Sequence, residues 1–208
     1  MGKLKESLNE NKKFLLLAAG LLVISSLIFV FLNTGLITPS SILFQEEKSY
    51  KKPGNVIEEG KDYKIVISTT YGDIYIDLYE DRAPENVNSL LFLIGERYYE
   101  GLTFHRVIKN FLVQTGDRKG DGSGYPGYIV KLENLESFSD YDVGMANASQ
   151  FFVVLPGFDR ERIDGEYSLV GRVTGGFVVL ESIEKAEVDR NYRPVNDVVV
   201  KSIQIHEK

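Results

Sequence analysis

An uninterrupted apolar run near the N-terminus is the feature that most limits how this chain can fold. Residues 14–32 read FLLLAAGLLVISSLIFVFL and contain no charged side chain. A helix of that length spans roughly 28 Å, which is close to the thickness of the hydrocarbon core of a bilayer. A helix buried in a soluble core normally keeps a polar face, whereas this run is apolar on all sides. The run therefore predicts a single transmembrane helix over residues 14–32.

The charges around this run predict how it crosses the membrane. Four lysines and two glutamates precede it, namely Lys3, Lys5, Lys12, Lys13, Glu6 and Glu10. No lysine or arginine follows it before Lys48. Positive charge tends to stay on the cytoplasmic side, so residues 1–13 are predicted to be a cytoplasmic tail. Everything after the helix is then predicted to lie outside the cytoplasmic membrane.

A cleaved signal peptide is the alternative interpretation of the same residues. Its apolar segment would be shorter, about 7–15 residues, and would end in a small-residue cleavage site. The last alanine of the run, Ala19, lies well before the end of the run, so we favour an uncleaved signal anchor. Residues 33–60 contain Pro39, Pro53 and Gly54 and no sustained apolar period. They are predicted to be a linker to a domain over residues 61–208.

The composition excludes several kinds of chemistry. The chain has no cysteine, which excludes a disulfide framework, thiol catalysis and cysteine-ligated zinc. Its 2 histidines, His105 and His206, make a multi-histidine metal site unexpected. Its net charge of −6 argues against a nucleic-acid-binding protein. We therefore predict no metal site and no nucleic-acid partner.

The domain after the linker is predicted to consist mostly of β-strands. Apolar residues alternate with polar ones over residues 63–67 and again over residues 74–78, with turn-forming residues 71–73 between them. This pattern predicts a β-hairpin. Helical spacing predicts helices over residues 84–95 and 176–185. Many short strands with only two helices predict an all-β barrel or sandwich.

Two motifs in the middle of the chain invite other interpretations. Residues 122–127 match the G-x-G-x-x-G pattern literally. The dinucleotide-binding motif needs these glycines between a strand and a helix, whereas Pro126 lies inside the match and no helical pattern follows. The simpler interpretation is a Gly-rich loop. Asp117 and Asp121 offer a carboxylate pair, so a hydrolase is a distant alternative.

Residues 98–117, which read YYEGLTFHRVIKNFLVQTGD, closely resemble the signature of cyclophilin-type peptidyl-prolyl isomerases. Three later segments resemble further family segments in the same order: Gly144–Asn147, Ser149–Phe152 and Asp164–Gly171. The resemblance covers roughly residues 62–206. It implies an all-β fold, a closed eight-stranded antiparallel barrel with two capping helices, here preceded by one transmembrane helix. It also implies a shallow proline pocket on the outside of the barrel and an activity that needs no cofactor.

The chemistry of prolyl isomerisation indicates what Arg106 would do. The X-Pro amide resists twisting because of its resonance, and twisting localises the lone pair on the prolyl nitrogen. A fixed donor aimed at that nitrogen binds the twisted state better than the planar one. Arginine suits this role because it is always charged, planar and rich in donors. An arginine in a strand ordinarily points to water, and it is the resemblance that favours the catalytic role for Arg106.

The resemblance also implies the other residues of the site. Phe111 and Gln114 accompany Arg106 as catalytic residues, and Gln114 is expected to hold the guanidinium group and the client backbone. The residues expected to bind substrate are His105, Leu112, Ala146, Asn147, Gln150, Phe152, Ile163 and Tyr167. The backbone of Asn147 would hold the residue before proline, and His105 would help to orient its strand. Alternation alone favours buried core residues at Phe111, Leu112, Phe152 and Ile163.

The sequence departs from the family pattern at three places. The family usually carries a Gly/Asn-rich loop before the Ser-Gln-Phe-Phe segment, whereas here Ala148 runs directly into Ser149. Arg162 stands where many eukaryotic members have tryptophan, which weakens any expectation of cyclosporin binding. Tyr167 replaces a frequent histidine and keeps an aromatic wall with a polar tip. The shortened loop is expected to affect substrate preference more than activity.

These observations predict a membrane-tethered, monomeric peptidyl-prolyl isomerase that acts on proline-containing client chains. Isomerisation of X-Pro bonds is a slow step of folding, so such an enzyme would assist exported or membrane proteins. The alternative is a catalytically weak proline-binding chaperone or scaffold module, which would keep the pocket but turn over poorly because of the shortened loop.

Overall fold

The computed structural model of the chain describes residues 49–207. The predicted cytoplasmic tail over residues 1–13, the transmembrane helix over residues 14–32 and the linker up to residue 48 lie outside the described residues. Between residues 49 and 207, no helix is both long and apolar enough to span a bilayer. Ser49–Lys208 form one compact unit, which includes the last part of the predicted linker.

The first two strands form the predicted hairpin. Strand β1 covers Tyr63–Thr69 and strand β2 covers Gly72–Leu78, and they pair antiparallel with Ile65 opposite Ile76. Alternate residues of both strands are buried, because successive side chains of a strand point to opposite faces of the sheet. The turn is closed by Thr69, whose hydroxyl donates to the carbonyl oxygen of Gly72 at 2.8 Å.

Within residues 49–207, eight strands form one antiparallel sheet. The other six are β3 (Arg106–Ile108), β4 (Leu112–Thr115), β5 (Asp142–Met145), β6 (Phe151–Val154), β7 (Ser168–Gly175) and β8 (Val200–Glu207). The spatial order is β3-β4-β6-β5-β7-β2-β1-β8. Every neighbouring pair is antiparallel, as expected for the family that the sequence resembles.

The prediction of a closed barrel is wrong, because the sheet is curled but open between β3 and β8. These two strands are the ends of the sheet order and share no ladder. The segment that meets the start of β8 lies before β3, where Thr103 forms an isolated bridge with Val199. Backbone hydrogen bonds of 2.8–2.9 Å also join Gly101, Leu102 and Phe104 to Val198 and Val200. At β3 itself, the Val107 N–H donates to the carbonyl oxygen of Tyr192 at 2.8 Å. A loop therefore occupies the edge of β3 that β8 would need to close the barrel.

Two helices pack on the curled sheet, as predicted. Helix α1 covers Pro84–Gly95 and begins with proline, whose fixed backbone angle suits the first turn. Its apolar residues from Val87 to Ile94 are buried in the main core. Helix α2 covers Phe177–Glu184 and follows Gly176, which takes a left-handed conformation with a φ of 83°. Leu180 and Ile183 attach α2 to the same core.

A second, smaller core lies on another side of the sheet. Its buried members are Phe111, Leu112, Phe138, Phe152, Val154, Ile163 and Leu169. Phe138 stacks on Phe152 with ring centroids 5.8 Å apart. Gly144 allows this stacking, because a Cβ at that position would overlap both rings. This small core supports the candidate site.

Candidate active site

Arg106 and Gln114 form the polar edge of the candidate site. Arg106 lies on β3 directly opposite Gln114 on β4, so the ladder itself brings the two side chains together. The Nη1 atom of Arg106 donates to Oε1 of Gln114 at 3.5 Å. Arg106 is half-buried, whereas Gln114 is only 8% exposed. The guanidinium group is thus steered by a fixed partner and keeps further donors for another group.

Gln150 fixes which way the Gln114 amide points. Its Nε2 atom donates to the carbonyl oxygens of Gly122 at 3.0 Å and Gly124 at 2.7 Å. With both amide hydrogens used, its Oε1 atom accepts from Nε2 of Gln114 at 2.9 Å. The Oε1 atom of Gln114 is left facing Arg106. In this series of hydrogen bonds, each side-chain amide determines the orientation of the next side chain, because an amide group donates at one end and accepts at the other.

The shortened loop becomes a tight turn between β5 and β6. The side-chain oxygen of Asn147 accepts from the backbone N–H groups of Ser149 at 2.9 Å and Gln150 at 2.8 Å. The N–H groups of Ala146 and Asn147 donate to the carbonyl oxygen of Gln150, at 2.8 and 3.3 Å. The N–H of Asn147 is therefore engaged within the turn. Its carbonyl oxygen is the backbone group left to accept a hydrogen bond from a bound peptide.

A groove of about 240 Å³ lies beside the Arg106–Gln114 pair. Its lining comprises Arg106, Phe111, Leu112, Gln114, Gly122, Ala146, Asn147, Gln150, Phe152, Arg162, Ile163 and Tyr167. The structure thus brings every site residue predicted from the sequence except His105 to one surface. Phe111, Leu112, Phe152 and Ile163 also belong to the small core, so each is both a core residue and a groove residue. The Tyr167 ring meets the Phe152 ring edge-on at 5.2 Å.

Two lining residues were not predicted from the sequence. Arg162 ends a short 3₁₀ turn, Arg160–Arg162, and its guanidinium carbon lies 4.4 Å from the centroid of the Phe111 ring. Its position next to Ile163 in a family segment was the signal that could have identified it. Gly122 has a φ of +88° and presents its carbonyl oxygen to Gln150. It belongs to the segment that the sequence marked only as a Gly-rich loop.

His105 lies beside the groove rather than in it. It lines an adjoining polar cavity of about 610 Å³, together with Arg106, Gln114, Gly120–Gly122, Asp189, Asn191 and Arg193. The side chain is 5% exposed, and among residues 49–207 neither ring nitrogen has a hydrogen-bond partner. Burial lowers the pKa of His105, which favours the neutral ring at neutral pH.

The two aspartates of the hydrolase alternative do not form an acid–base pair. Asp117 is buried, and its carboxylate oxygens accept from the N–H groups of Lys119 at 2.9 Å and Gly122 at 2.5 Å. Asp121 is exposed, and hydrogen bonds from Ser123 lower its pKa. A general acid at neutral pH needs a raised pKa, so Asp121 does not suit that role, and both carboxylate oxygens of Asp117 are already engaged by the backbone of its own loop. Asp117 instead shapes the loop that carries Gly122.

The comparisons with known proteins agree with this geometry. Residues 64–205 match the family model described as cyclophilin type peptidyl-prolyl cis-trans isomerase. The chicken peptidyl-prolyl cis-trans isomerase-like 3 is 38% identical over 157 residues, which are 68% of this chain and 95% of that protein. The isomerase cyp15 of Rhizopus delemar is 39% identical over 154 residues, and here the match covers 67% of this chain but only 24% of the relative.

Solved structures give the same result. A cyclophilin type peptidyl-prolyl cis-trans isomerase of Cryptosporidium parvum superimposes with a TM-score of 0.65 at 28% identity, covering 71% of this chain and 99% of its own. The same protein has also been crystallised in the presence of the dipeptide Ala-Pro, with the same TM-score of 0.65.

The curled antiparallel sheet carries an arginine–glutamine pair beside a groove with aromatic side chains in its lining, and the proteins that it matches are peptidyl-prolyl isomerases. The chain belongs to the family of cyclophilin-type peptidyl-prolyl cis-trans isomerases. The prediction of this enzyme class is therefore confirmed, and proline-containing peptides are the substrates that fit the family.

Proposed function

We propose that Arg106 catalyses prolyl isomerisation by stabilising the twisted X-Pro amide. The observation that carries this proposal is the position of the Arg106–Gln114 pair in the groove that Phe111 and Phe152 also line. A proline ring seated against Phe111 and Phe152 would bring its amide next to the guanidinium group. Twisting localises the lone pair on the prolyl nitrogen, and a positioned N–H donor binds that state more tightly than the planar one.

The rest of the groove would bind substrate and transition state alike. Phe111, Leu112, Phe152 and Ile163 would seat the ring, and Tyr167 would border it. Arg162 would cover this seat from above the Phe111 ring. The carbonyl oxygen of Asn147 would accept from the N–H of the residue before proline, because the N–H of Asn147 is already used in its turn. No proton is transferred, so the neutral state of His105 is compatible with this mechanism.

The proposal is tested by comparing Arg106→Ala with the wild type in an isomerisation assay on an X-Pro peptide, using the full-length protein. If the guanidinium group stabilises the twisted state by about 4 kcal/mol, kcat/KM falls about 10³-fold in the variant. Arg97→Ala is a suitable control, because the Arg97 side chain is exposed and pairs with the surface residue Glu100, away from the groove. An Arg106→Ala variant with the wild-type rate would contradict the proposal.

We further propose that the enzyme is a single-pass membrane protein of the cytoplasmic membrane, with its N-terminus inside and the isomerase domain outside. The apolar run over residues 14–32 and the lysines before it support this topology. Clients would then be exported or membrane proteins, and the enzyme would act as a monomer without a nucleic-acid partner. Protease added to spheroplasts should digest the isomerase domain, whereas protection of that domain would place it in the cytoplasm.

A second candidate function is a proline-binding chaperone or scaffold with weak turnover. The N–H of Asn147 is engaged within its turn, which favours this alternative. The protein then has one backbone donor fewer to hold a bound peptide in register. Peptide binding without acceleration of isomerisation would support this alternative. The retained Arg106–Gln114 pair favours the enzyme.

A further inference from the structure

An ordered strap precedes the part of the chain that matches the family. The strap comprises residues 49–57, whereas the family match begins at residue 64. Its second half is fixed to α1 through Asn88. The side-chain oxygen of Asn88 accepts from the N–H groups of Val56 at 2.7 Å and Ile57 at 3.3 Å, and its nitrogen donates to Gly54 at 2.9 Å. Both ends of this amide are therefore used to hold the strap.

The first half of the strap is attached to a different part of the domain. The N–H of Tyr50 donates to the carbonyl oxygen of Pro126 at 2.8 Å. The Tyr50 ring packs edge-on against Phe92 of α1 at 5.4 Å and lies 6.4 Å from the Tyr98 ring. Gly127 has a φ of +104°, and a Cβ there would overlap Ser49 and the backbone of Tyr50. The strap is thus packed closely on the segment Pro126–Gly127.

That segment continues directly into the wall of the active-site groove. Gly124 lies two residues before Pro126, and its carbonyl oxygen accepts from Gln150 at 2.7 Å and from Asn147 at 3.1 Å. The hydroxyl of Tyr128, one residue after Gly127, bonds to the hydroxyl of Ser89 at 2.8 Å. The segment from Gly122 to Tyr128 is therefore held on one side by the strap and α1, and on the other by the polar residues of the groove.

A continuous series of contacts links the strap to the proposed catalytic arginine. Tyr50 holds Pro126, and the nearby carbonyl oxygens of Gly122 and Gly124 fix the amide of Gln150. That amide orients Gln114, and Gln114 steers Arg106. Loops loosen where few buried contacts hold them, and in the segment from Gly122 to Tyr128 only Gly124, Pro126 and Tyr128 are buried.

We propose that Tyr50, which lies outside the family match, is a positioning residue for Arg106. The inference rests on the proposed role of Arg106. Tyr50 acts through its ring, which keeps the strap on Phe92 and Tyr98, and through its N–H, which holds Pro126. Loss of the ring frees the strap, and the carbonyl oxygens that orient Gln150 lose their fixed position.

The test is a double-mutant cycle on kcat/KM with the full-length protein. Tyr50→Ala should lower kcat/KM about 5- to 10-fold, whereas Tyr50→Phe should keep the wild-type value because ring and N–H both remain. In the Arg106→Ala background, adding Tyr50→Ala should lower kcat/KM by less than about 2-fold, because the arginine that Tyr50 positions is absent. Amide hydrogen exchange over residues 122–128 should become faster in Tyr50→Ala.

Val56→Ala is the matched control, because Val56 is an exposed strap residue that bonds to Asn88 only through its backbone. It should keep the wild-type kcat/KM. The positioning role is contradicted if Tyr50→Ala keeps the wild-type rate, or if its loss simply adds to that of Arg106→Ala. A wild-type rate for Arg106→Ala alone contradicts the catalytic proposal instead, so the two failures are distinguishable. Thermal unfolding of each variant confirms that the assays are made on folded protein.

Discussion

Gln150 is both a buried residue of the fold and a residue that orients the polar side chains of the candidate site. It is almost fully buried, at 1% exposure, and its side-chain amide bonds to Gln114 and to the carbonyl oxygens of Gly122 and Gly124. A buried amide without partners would cost about 1–3 kcal/mol, so the surrounding residues must satisfy it. The two glycine carbonyl oxygens accept from the Gln150 nitrogen, so the Gln150 oxygen faces Gln114. That orientation turns the Gln114 oxygen towards Arg106. Burial thus supplies the rigidity that a positioned donor needs.

Arg162 is predicted to contribute to substrate binding rather than to the isomerisation step. Its guanidinium group covers the Phe111 ring, and such an exposed cation–π contact is worth about 0.5–1 kcal/mol. Arg162→Ala should therefore raise KM about 2- to 5-fold and leave kcat nearly unchanged. Arg160→Ala is the control from the same turn, since Arg160 lies over Phe158 at 6.0 Å and does not line the groove. A selective loss of kcat in Arg162→Ala would assign it a different role.

His105 is predicted to make stability, but not catalysis, depend on pH. Its pKa is lowered in the folded state by burial, so the unfolded chain binds more protons on acidification. The contribution of His105 to the free energy of unfolding is then fully present above about pH 6.5 and is lost as the pH falls through its folded pKa. Urea unfolding of the wild type and His105→Phe at pH 7.5 and 5 measures this difference.

The wild type should lose more stability than His105→Phe between those two pH values. An equal loss in both would mean that His105 titrates alike in the folded and unfolded states. The mechanism transfers no proton, so kcat/KM should stay flat from pH 6 to 8 wherever the protein remains folded.

Secondary structure elements were predictable where their pattern is local. The alternation over β1 and β2 and the proline start of α1 depend on neighbouring residues, and both were located correctly. Closure of the sheet was not predictable, because it depends on which distant segment reaches the edge of β3. The loop at Tyr192 occupies that edge through a single backbone bond. That Arg162 and Gly122 line the groove was also missed, because contacts with distant parts of the chain determine where both loops lie.

The small core under the groove is predicted to tolerate no added volume at Gly144. A Cβ there would overlap the stacked rings of Phe138 and Phe152. Gly144→Ala should lower the free energy of unfolding by about 1–3 kcal/mol, as overpacking of a filled core usually does. Gly95→Ala is the control, because a Cβ at Gly95 would meet nothing within 4 Å. Chemical denaturation of both variants tests the prediction, which fails if the two glycines respond alike.

At the scale of the whole molecule, the average composition hides two different parts. The 43% hydrophobic content includes an apolar run at one end of the chain and a more polar isomerase domain at the other. The strap over residues 49–57 is where the chain enters the domain, and it touches the segment that builds the groove wall.

The resemblance of four short segments to one family carried most of what could be inferred about the whole protein from its sequence. Their order along the chain predicted the enzyme class, and the fold brings them together around one groove. The contribution of the strap could not be inferred in this way, because it lies before the matched residues. It becomes visible only when the backbone bond of Tyr50 and the side-chain bonds of Asn88 are known.

The most direct test of the account separates binding from isomerisation in the Arg106→Ala variant of the full-length protein. Exchange NMR on an X-Pro peptide gives the rate of cis–trans exchange on the enzyme, and the same titration gives Kd. If Arg106 stabilises the twisted amide, the exchange rate falls about 10²- to 10³-fold, as when one transition-state donor is removed, while Kd changes only a few-fold. An unchanged exchange rate, or a loss confined to Kd, would contradict the claim that Arg106 stabilises the twisted amide.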